Sequence, residues 1–261
     1  MFPYFHIFGL SVPVYGILTL VGIAVGILWM LYNRKFYRLK KDDTFFFALY
    51  CVIFALIGGK VLYIIVEFQH LLQNPEMWKA VITGGMVFYG GVIGGILGGV
   101  LYTRQYHLDT WKFFDVAVPG VAIGHGIGRI GCFCAGCCYG APTDLPIGVI
   151  YPKGLGIAPA GVPLLPTQLF EAGAEAVLAV VLFLILRKNK RMGRVTGWYL
   201  VLYGVIRFGL EFLRSDPRGA VFGLSTSQLI SIFMVTLGML LIYGVIQKRR
   251  IGNFEPKESM E

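Results

Sequence analysis

Seven stretches of roughly twenty apolar residues constrain this chain more than anything else in it. They run over residues 14–32, 45–66, 86–103, 113–131, 166–186, 197–213 and 226–246. At about 1.5 Å of rise per residue, such a stretch matches the ~30 Å hydrocarbon core of a bilayer when it is helical. Backbone groups in hydrocarbon must be satisfied within their own segment, which selects helices or closed barrels. Stretches of this length select helices. The expected fold is an all-α integral membrane protein with about seven transmembrane helices. Only 14% of the residues are charged and the mean hydropathy is +0.71, so a soluble domain of ordinary composition is excluded.

The net charge of +9 would suggest nucleic acid in a soluble protein, so the placement of the basic residues decides its meaning. Arg34, Lys35, Arg38, Lys40 and Lys41 follow the first stretch, and Arg187, Lys188, Lys190, Arg191 and Arg194 follow the fifth. With Arg104, Lys112, Lys248, Arg249, Arg250 and Lys257, sixteen basic residues fall on one side of the expected membrane. Lys79, Lys153, Arg214 and Arg218 fall on the other. Positively charged loops stay inside, so the N-terminus is expected outside and the C-terminus in the cytoplasm. No nucleic-acid partner is expected. Residues 1–10 lack a basic region and a following small-residue cleavage site, so no cleavable signal peptide is expected. Residues 1–251 read as one polytopic domain with a proline-rich outer loop at about 139–165, and 252–261 as a short, disordered cytoplasmic tail.

The segment Gly124 to Gly140, GHGIGRIGCFCAGCCYG, departs most from hydrocarbon. Gly120, Gly124 and Gly128 recur every four residues, the spacing of closely packed membrane helices. Arg129 follows them at membrane depth, where a cation persists only if a carboxylate, carbonyls, water or a lipid headgroup compensates it. Residues 131–140 look too glycine-rich for a simple helix and are expected to be irregular backbone lining a cavity. Another small-residue stripe, Gly90, Gly91, Gly94, Gly95, Gly98 and Gly99, marks the third stretch as a packing surface, with Tyr89 just before it. Lys60 lies deep in the second stretch, near Tyr63 and Glu67, and needs a partner.

Glu171 enters the fifth stretch within PTQLFE, where a carboxylate also suits the helix dipole. In the sixth, Tyr203, Arg207, Glu211 and Arg214 are spaced four, four and three, which places them on one helical face. An ion-pair ladder would account for them. So would a receptor in which Arg207 pairs with Glu211 and a further arginine takes an anion. Tyr15 at the mouth of the first stretch is either an interfacial anchor or a site residue. Cys132, Cys134, Cys137 and Cys138 are clustered, with Cys51 apart. Packing or a disulfide suits them better than metal binding, since one C-x-x-C spacing stands without a second ligand pair. No metal and no cofactor are expected.

The Tyr15-Gly16 entry, GGMVFYGGVIGG, GRIGCFCAGCCYG, PTQLFE and LYGVIRFGLEFLRSDP, in that order, resemble the bacterial prolipoprotein diacylglyceryl transferase family. The resemblance implies transfer of the diacylglyceryl group of phosphatidylglycerol to the lipobox cysteine of a preprolipoprotein in the inner membrane. A thioether forms and glycerol phosphate leaves. It assigns Arg129 and Arg207 to the phosphate, with Arg214, Glu171 and Glu211 in support and Tyr15, Tyr63 and Tyr203 near the site. The chain departs from the family where members carry histidine before the glycine pair, because Tyr89 stands there and becomes the candidate proton acceptor. It departs again at GRIG, where Cys132 replaces asparagine and Cys137 takes the place of a glutamate. Those departures leave a second reading open: a lipid-binding or cysteine-based redox relative that transfers nothing.

Overall fold

The computed structural model describes residues 4–7, 10–74, 76, 78–153, 155, 157–189, 191–215, 220–221 and 223–244. The polar tail at 252–261 and the basic residues from Lys248 onward lie outside them. The chain is mostly helical. In order it forms β1 (Tyr4–Ile7), β2 (Leu10–Pro13), α1 (Val14–Asn33), a 3-10 turn at Arg34–Tyr37, α2 (Lys41–Val66), α3 (Phe68–Gln73), α4 (Trp78–Thr83), α5 (Phe88–Gln105) and α6 (Thr110–Ala135). Beyond these come β3 (Val149–Ile150), β4 (Pro163–Leu164), α7 (Thr167–Lys188), α8 (Arg194–Glu211), β5 (Ala220–Val221), β6 (Leu224–Ser225) and α9 (Thr226–Ile242). The strands pair as three small antiparallel ribbons, β1 with β2, β3 with β4 and β5 with β6.

A long helix stands at each of the seven apolar stretches. Four are long and apolar enough to cross a membrane: α1 with its following turn, α2, α6 and α7; α9 is a shorter apolar helix. Six glycines and a polar end lower the apolarity of α5, and charges interrupt α8. The segment at 131–140 differs from expectation. Helix α6 continues to Ala135, so Cys132 and Cys134 are helical and irregular backbone begins at Gly136. Gly131 is no breaker here because it is a contact: a Cβ on it would stand 3.2 Å from the Tyr15 ring.

The chain divides into two compact units, Met1–Phe36 with Asp115–Glu261, and Tyr37–Phe114. In the first, α1 and α6 touch through glycine. A Cβ on Gly124 would come 2.8 Å from the Gly22 carbonyl, and one on Gly120 would come 2.9 Å from that of Gly26. Helices α8 and α9 do the same, with 2.9 Å from a Cβ on Gly197 to the Gly238 carbonyl. Gly128 breaks the pattern, with nothing among the described residues within 4 Å of its virtual Cβ. The start of α8 is fixed by Asp115, which is fully buried. It accepts from the backbone N–H groups of Gly193 and Thr196, both at 2.8 Å, and from the Thr196 hydroxyl at 2.7 Å. A carboxylate there satisfies otherwise orphaned donors and faces the positive helix end.

The proline-rich loop at 139–165 is folded. Tyr151, Leu155 and Leu164 form a small buried core against Tyr139, Val149, Ala158 and Val162. Its edges are tied by bridges from Gly140 to Arg214 and from Pro142 to Leu164. Burial pushes the Tyr151 phenol above its ordinary pKa, so its hydroxyl stays neutral and accepts a hydrogen bond from Gln168 Nε2 at 3.1 Å.

In the second unit the α5 glycines face α2. A Cβ on Gly58 would come 2.9 Å from the Gly94 Cα, and one on Gly98 would come 2.7 Å from the Tyr50 carbonyl. Phe47 anchors an aromatic group with Phe113 at 5.0 Å, Phe114 at 5.5 Å and Tyr102 at 6.4 Å between centroids. The Lys60 ammonium donates to the Val81 carbonyl of α4, and the Tyr63 ring lies against Gly85.

Candidate active site

The first unit encloses a connected set of charges. On α6, His125 and Arg129 are four residues apart; on α7, Glu171 and Glu175 are four apart, so each pair occupies one helical face. Gly126 lets these helices approach, since its virtual Cβ lies 3.3 Å from the Ala172 carbonyl. The two faces meet rung by rung. His125 Nδ1 stands 2.6 Å from Glu175 Oε1, and Arg129 Nη2 stands 2.9 Å from Glu171 Oε1. His125 Nε2 is 3.9 Å from Glu171 Oε1, which links the rungs. Both carboxylates are at most 1% exposed.

Arg214 joins from beyond the end of α8, its Nη1 3.9 Å from Glu171 Oε2. The four-four-three spacing had placed it on the α8 face, but the helix stops at Glu211. The backbone then turns to bridge Gly140, and this redirects Arg214. Arg207 does lie on α8. Its Nη2 is 2.7 Å from Glu211 Oε2 and donates to the Ser227 hydroxyl at 2.9 Å. Ser227 is positioned by a capping box at the start of α9, where Ser225 and Gln228 each bond the other's backbone. The Tyr203 ring is 5.5 Å from that of His125 and stacks on Tyr199.

These ion pairs leave donors over. Arg129 Nε and Arg207 Nη1 are buried and have no hydrogen-bond partner among the described residues. A buried guanidinium N–H with no acceptor is costly, and carboxylate and phosphate oxygens are the acceptors that suit its fork geometry.

Just beyond Arg129, the chain leaves α6 through Gly136 (φ +66°) and reaches Cys138, itself at φ +60°. The sulfurs of Cys132, Cys137 and Cys138 lie within 4.8 Å of one another, and all five cysteines carry free thiols. Thr167 Oγ1 donates to the Cys138 carbonyl at 3.0 Å and Gln168 Nε2 to that of Cys137 at 2.6 Å. The start of α7 therefore clamps this turn.

Nine of the eleven candidate residues belong to the first unit: Tyr15, Arg129, Cys132, Cys137, Glu171, Tyr203, Arg207, Glu211 and Arg214; Tyr63 on α2 belongs to the second. Tyr89 belongs to the second, on the first turn of α5, 39% exposed with its ring 5.8 Å from that of Phe88. His125 and Glu175 were not anticipated. The signal was present, since each stands four residues from a residue already singled out, His125 before Arg129 and Glu175 after Glu171.

Apolar helices enclosing buried arginines, carboxylates and a histidine define a membrane protein with a polar interior site. The family model of prolipoprotein diacylglyceryl transferase matches residues 3–244. The phosphatidylglycerol–prolipoprotein diacylglyceryl transferase of Clostridium tetani is 42% identical over 235 residues, 90% of this chain and 94% of the relative. Transferase 2 of that name from Clostridium perfringens is 41% identical over 240 residues, 92% and 93% of the two chains. The corresponding enzyme of Nitrosomonas europaea is 33% identical over 246 residues, 90% and 86%. The chain belongs to the prolipoprotein diacylglyceryl transferase family and is a transferase. Agreement over nearly the whole chain disfavours the non-transferring redox reading.

Proposed function

We propose that this protein transfers the diacylglyceryl group of phosphatidylglycerol to the lipobox cysteine of preprolipoproteins, the first step of lipoprotein maturation. The names of its relatives supply both substrates. The observation that carries the reading onto this chain is the pair of buried donors, Arg129 Nε and Arg207 Nη1, that have no hydrogen-bond partner among the described residues. A phosphodiester headgroup offers the oxygens they lack.

In the reaction the thiol sulfur attacks a glyceryl carbon, the bond from that carbon to the phosphate oxygen breaks, and glycerol phosphate departs. The site must take the thiol proton and hold the charge developing on the leaving phosphate. Arg129 and Arg207 receive the phosphate, and Arg214 adds a third positive charge through Glu171. Glu171 and Glu211 keep the guanidiniums charged and oriented before the lipid arrives. His125 takes the thiol proton, and Glu175 at 2.6 Å fixes its ring and stabilises the imidazolium that results. This gives His125 the task otherwise assigned to Tyr89. Tyr203, its ring 5.5 Å from that of His125, and Tyr15, against Gly131, flank these groups.

The same reading puts seven spans in a bacterial inner membrane, N-terminus outside and C-terminus cytoplasmic, with the loop at 139–165 on the outer side over the site. Purified protein in phosphatidylglycerol liposomes with a synthetic lipobox peptide tests it. The peptide should gain the mass of one diacylglyceryl group, and a cysteine-to-serine peptide should gain nothing. No gain under conditions where the Clostridium tetani relative works would overturn the function.

A further inference from the structure

The thiols at the end of α6 and in the turn that follows it are arranged for a task that the transfer chemistry does not use. We propose that Cys132, Cys137 and Cys138 form a three-thiolate seat for a thiophilic divalent cation of the zinc class. Their sulfurs already lie within 4.8 Å of one another. Zinc bound at about 2.3 Å per sulfur in a tetrahedron separates its thiolates by roughly 3.8 Å, so closure takes side-chain adjustment only. Cys134, although spaced C-x-x-C with Cys137, falls outside the group, which is why the sequence spacing did not disclose the site.

Three features go beyond the packing of small side chains. Cys138 holds φ +60°, a conformation that non-glycine residues rarely adopt, and with it the turn brings its sulfur back toward Cys132. The carbonyls of Cys137 and Cys138 are held by Gln168 and Thr167, so the ligands stand on a clamped backbone, as supported metal ligands do. Charge is also matched. Three thiolates around a dication carry one net negative charge, and they face Arg214 at Cys138 and Arg129 at Cys132 and Cys138. Each cation bound releases three thiol protons, and the fourth coordination position is left to water or an external ligand.

The site adjoins the proposed phosphate site through Arg129 and Arg214 and is tested separately from it. Cobalt(II) is titrated into reduced, full-length protein in detergent, and the visible absorption of tetrahedral cobalt thiolate is followed. One cobalt per chain, displaced by zinc, is expected. The signal should be lost in Cys132→Ser and Cys138→Ser and kept in Cys51→Ser and Cys134→Ser. In wild-type protein, saturating zinc should protect three of five cysteines from alkylation, counted by mass; this holds the test open if a serine variant fails to fold. Absence of cobalt thiolate absorption in folded wild-type protein, survival of the signal in Cys138→Ser, or alkylation of all five thiols in zinc would each overturn the proposal. Transfer to the lipobox peptide is measured on the same preparations. Transfer by protein that binds no cation would sink the metal site and leave the transferase standing, and the reverse result would do the opposite.

Discussion

A guanidinium at membrane depth survives because something nearby carries the opposite charge, and in this protein the compensation is local and asymmetric. Arg129 and Arg207 each hold one carboxylate and each keep a donor in reserve. Removing Glu171 would strand Arg129 and weaken the hold on Arg214, at a cost of about 3–5 kcal/mol by analogy with broken buried pairs. The pairing is therefore structural before it is catalytic. His125 is different, because the role proposed for it is to move a proton. Replacing His125 with glutamine should lower turnover about 10²–10⁴-fold, whereas Tyr89→Phe should leave turnover close to wild type, both read from initial rates of peptide lipidation. A full-rate His125→Gln enzyme would hand the proton back to Tyr89. The arginines stood out in the sequence because a charge in an apolar run is rare. His125 did not, because a histidine among glycines is ambiguous until its partner on another helix is known.

At the scale of elements, glycine decides how close the helices come. Gly124 faces the Gly22 carbonyl and Gly128 meets nothing within 4 Å among the described residues, although both belong to one four-residue repeat on α6. Gly124→Ala should destabilise the protein by about 1–3 kcal/mol through overpacking, whereas Gly128→Ala should be neutral or slightly stabilising. Thermal unfolding in detergent would show a lowered midpoint for the first alone. The helices themselves were legible, since twenty apolar residues leave little choice. Their ends were not. Glycine content suggested that α6 breaks at Gly131, but tertiary contact with Tyr15 makes that glycine an asset, and the break waits for Gly136. Arg214 was misplaced for a related reason: the α8 face was extrapolated one turn past Glu211, where pairing to Gly140 takes over.

At the scale of the whole molecule, the asymmetry of basic residues sets the expected orientation. Reporter fusions should be active outside after residue 75 and within 139–165, and inside after residues 40 and 190. An inverted pattern would put the folded loop, and the proposed site beneath it, on the wrong side for substrates arriving from outside. Sequence pattern could mark that loop by its prolines but not its folded state, because a core of three residues, Tyr151, Leu155 and Leu164, carries no periodicity. The measurement that bears most directly on the phosphate site is lipidation of the lipobox peptide by Arg129→Ala and Arg207→Ala proteins shown to retain wild-type helix content. Losing one preorganised donor to a departing phosphate should slow turnover at least about 10²–10³-fold in each. Near wild-type turnover in either folded variant would contradict the assignment of the phosphate to these two arginines.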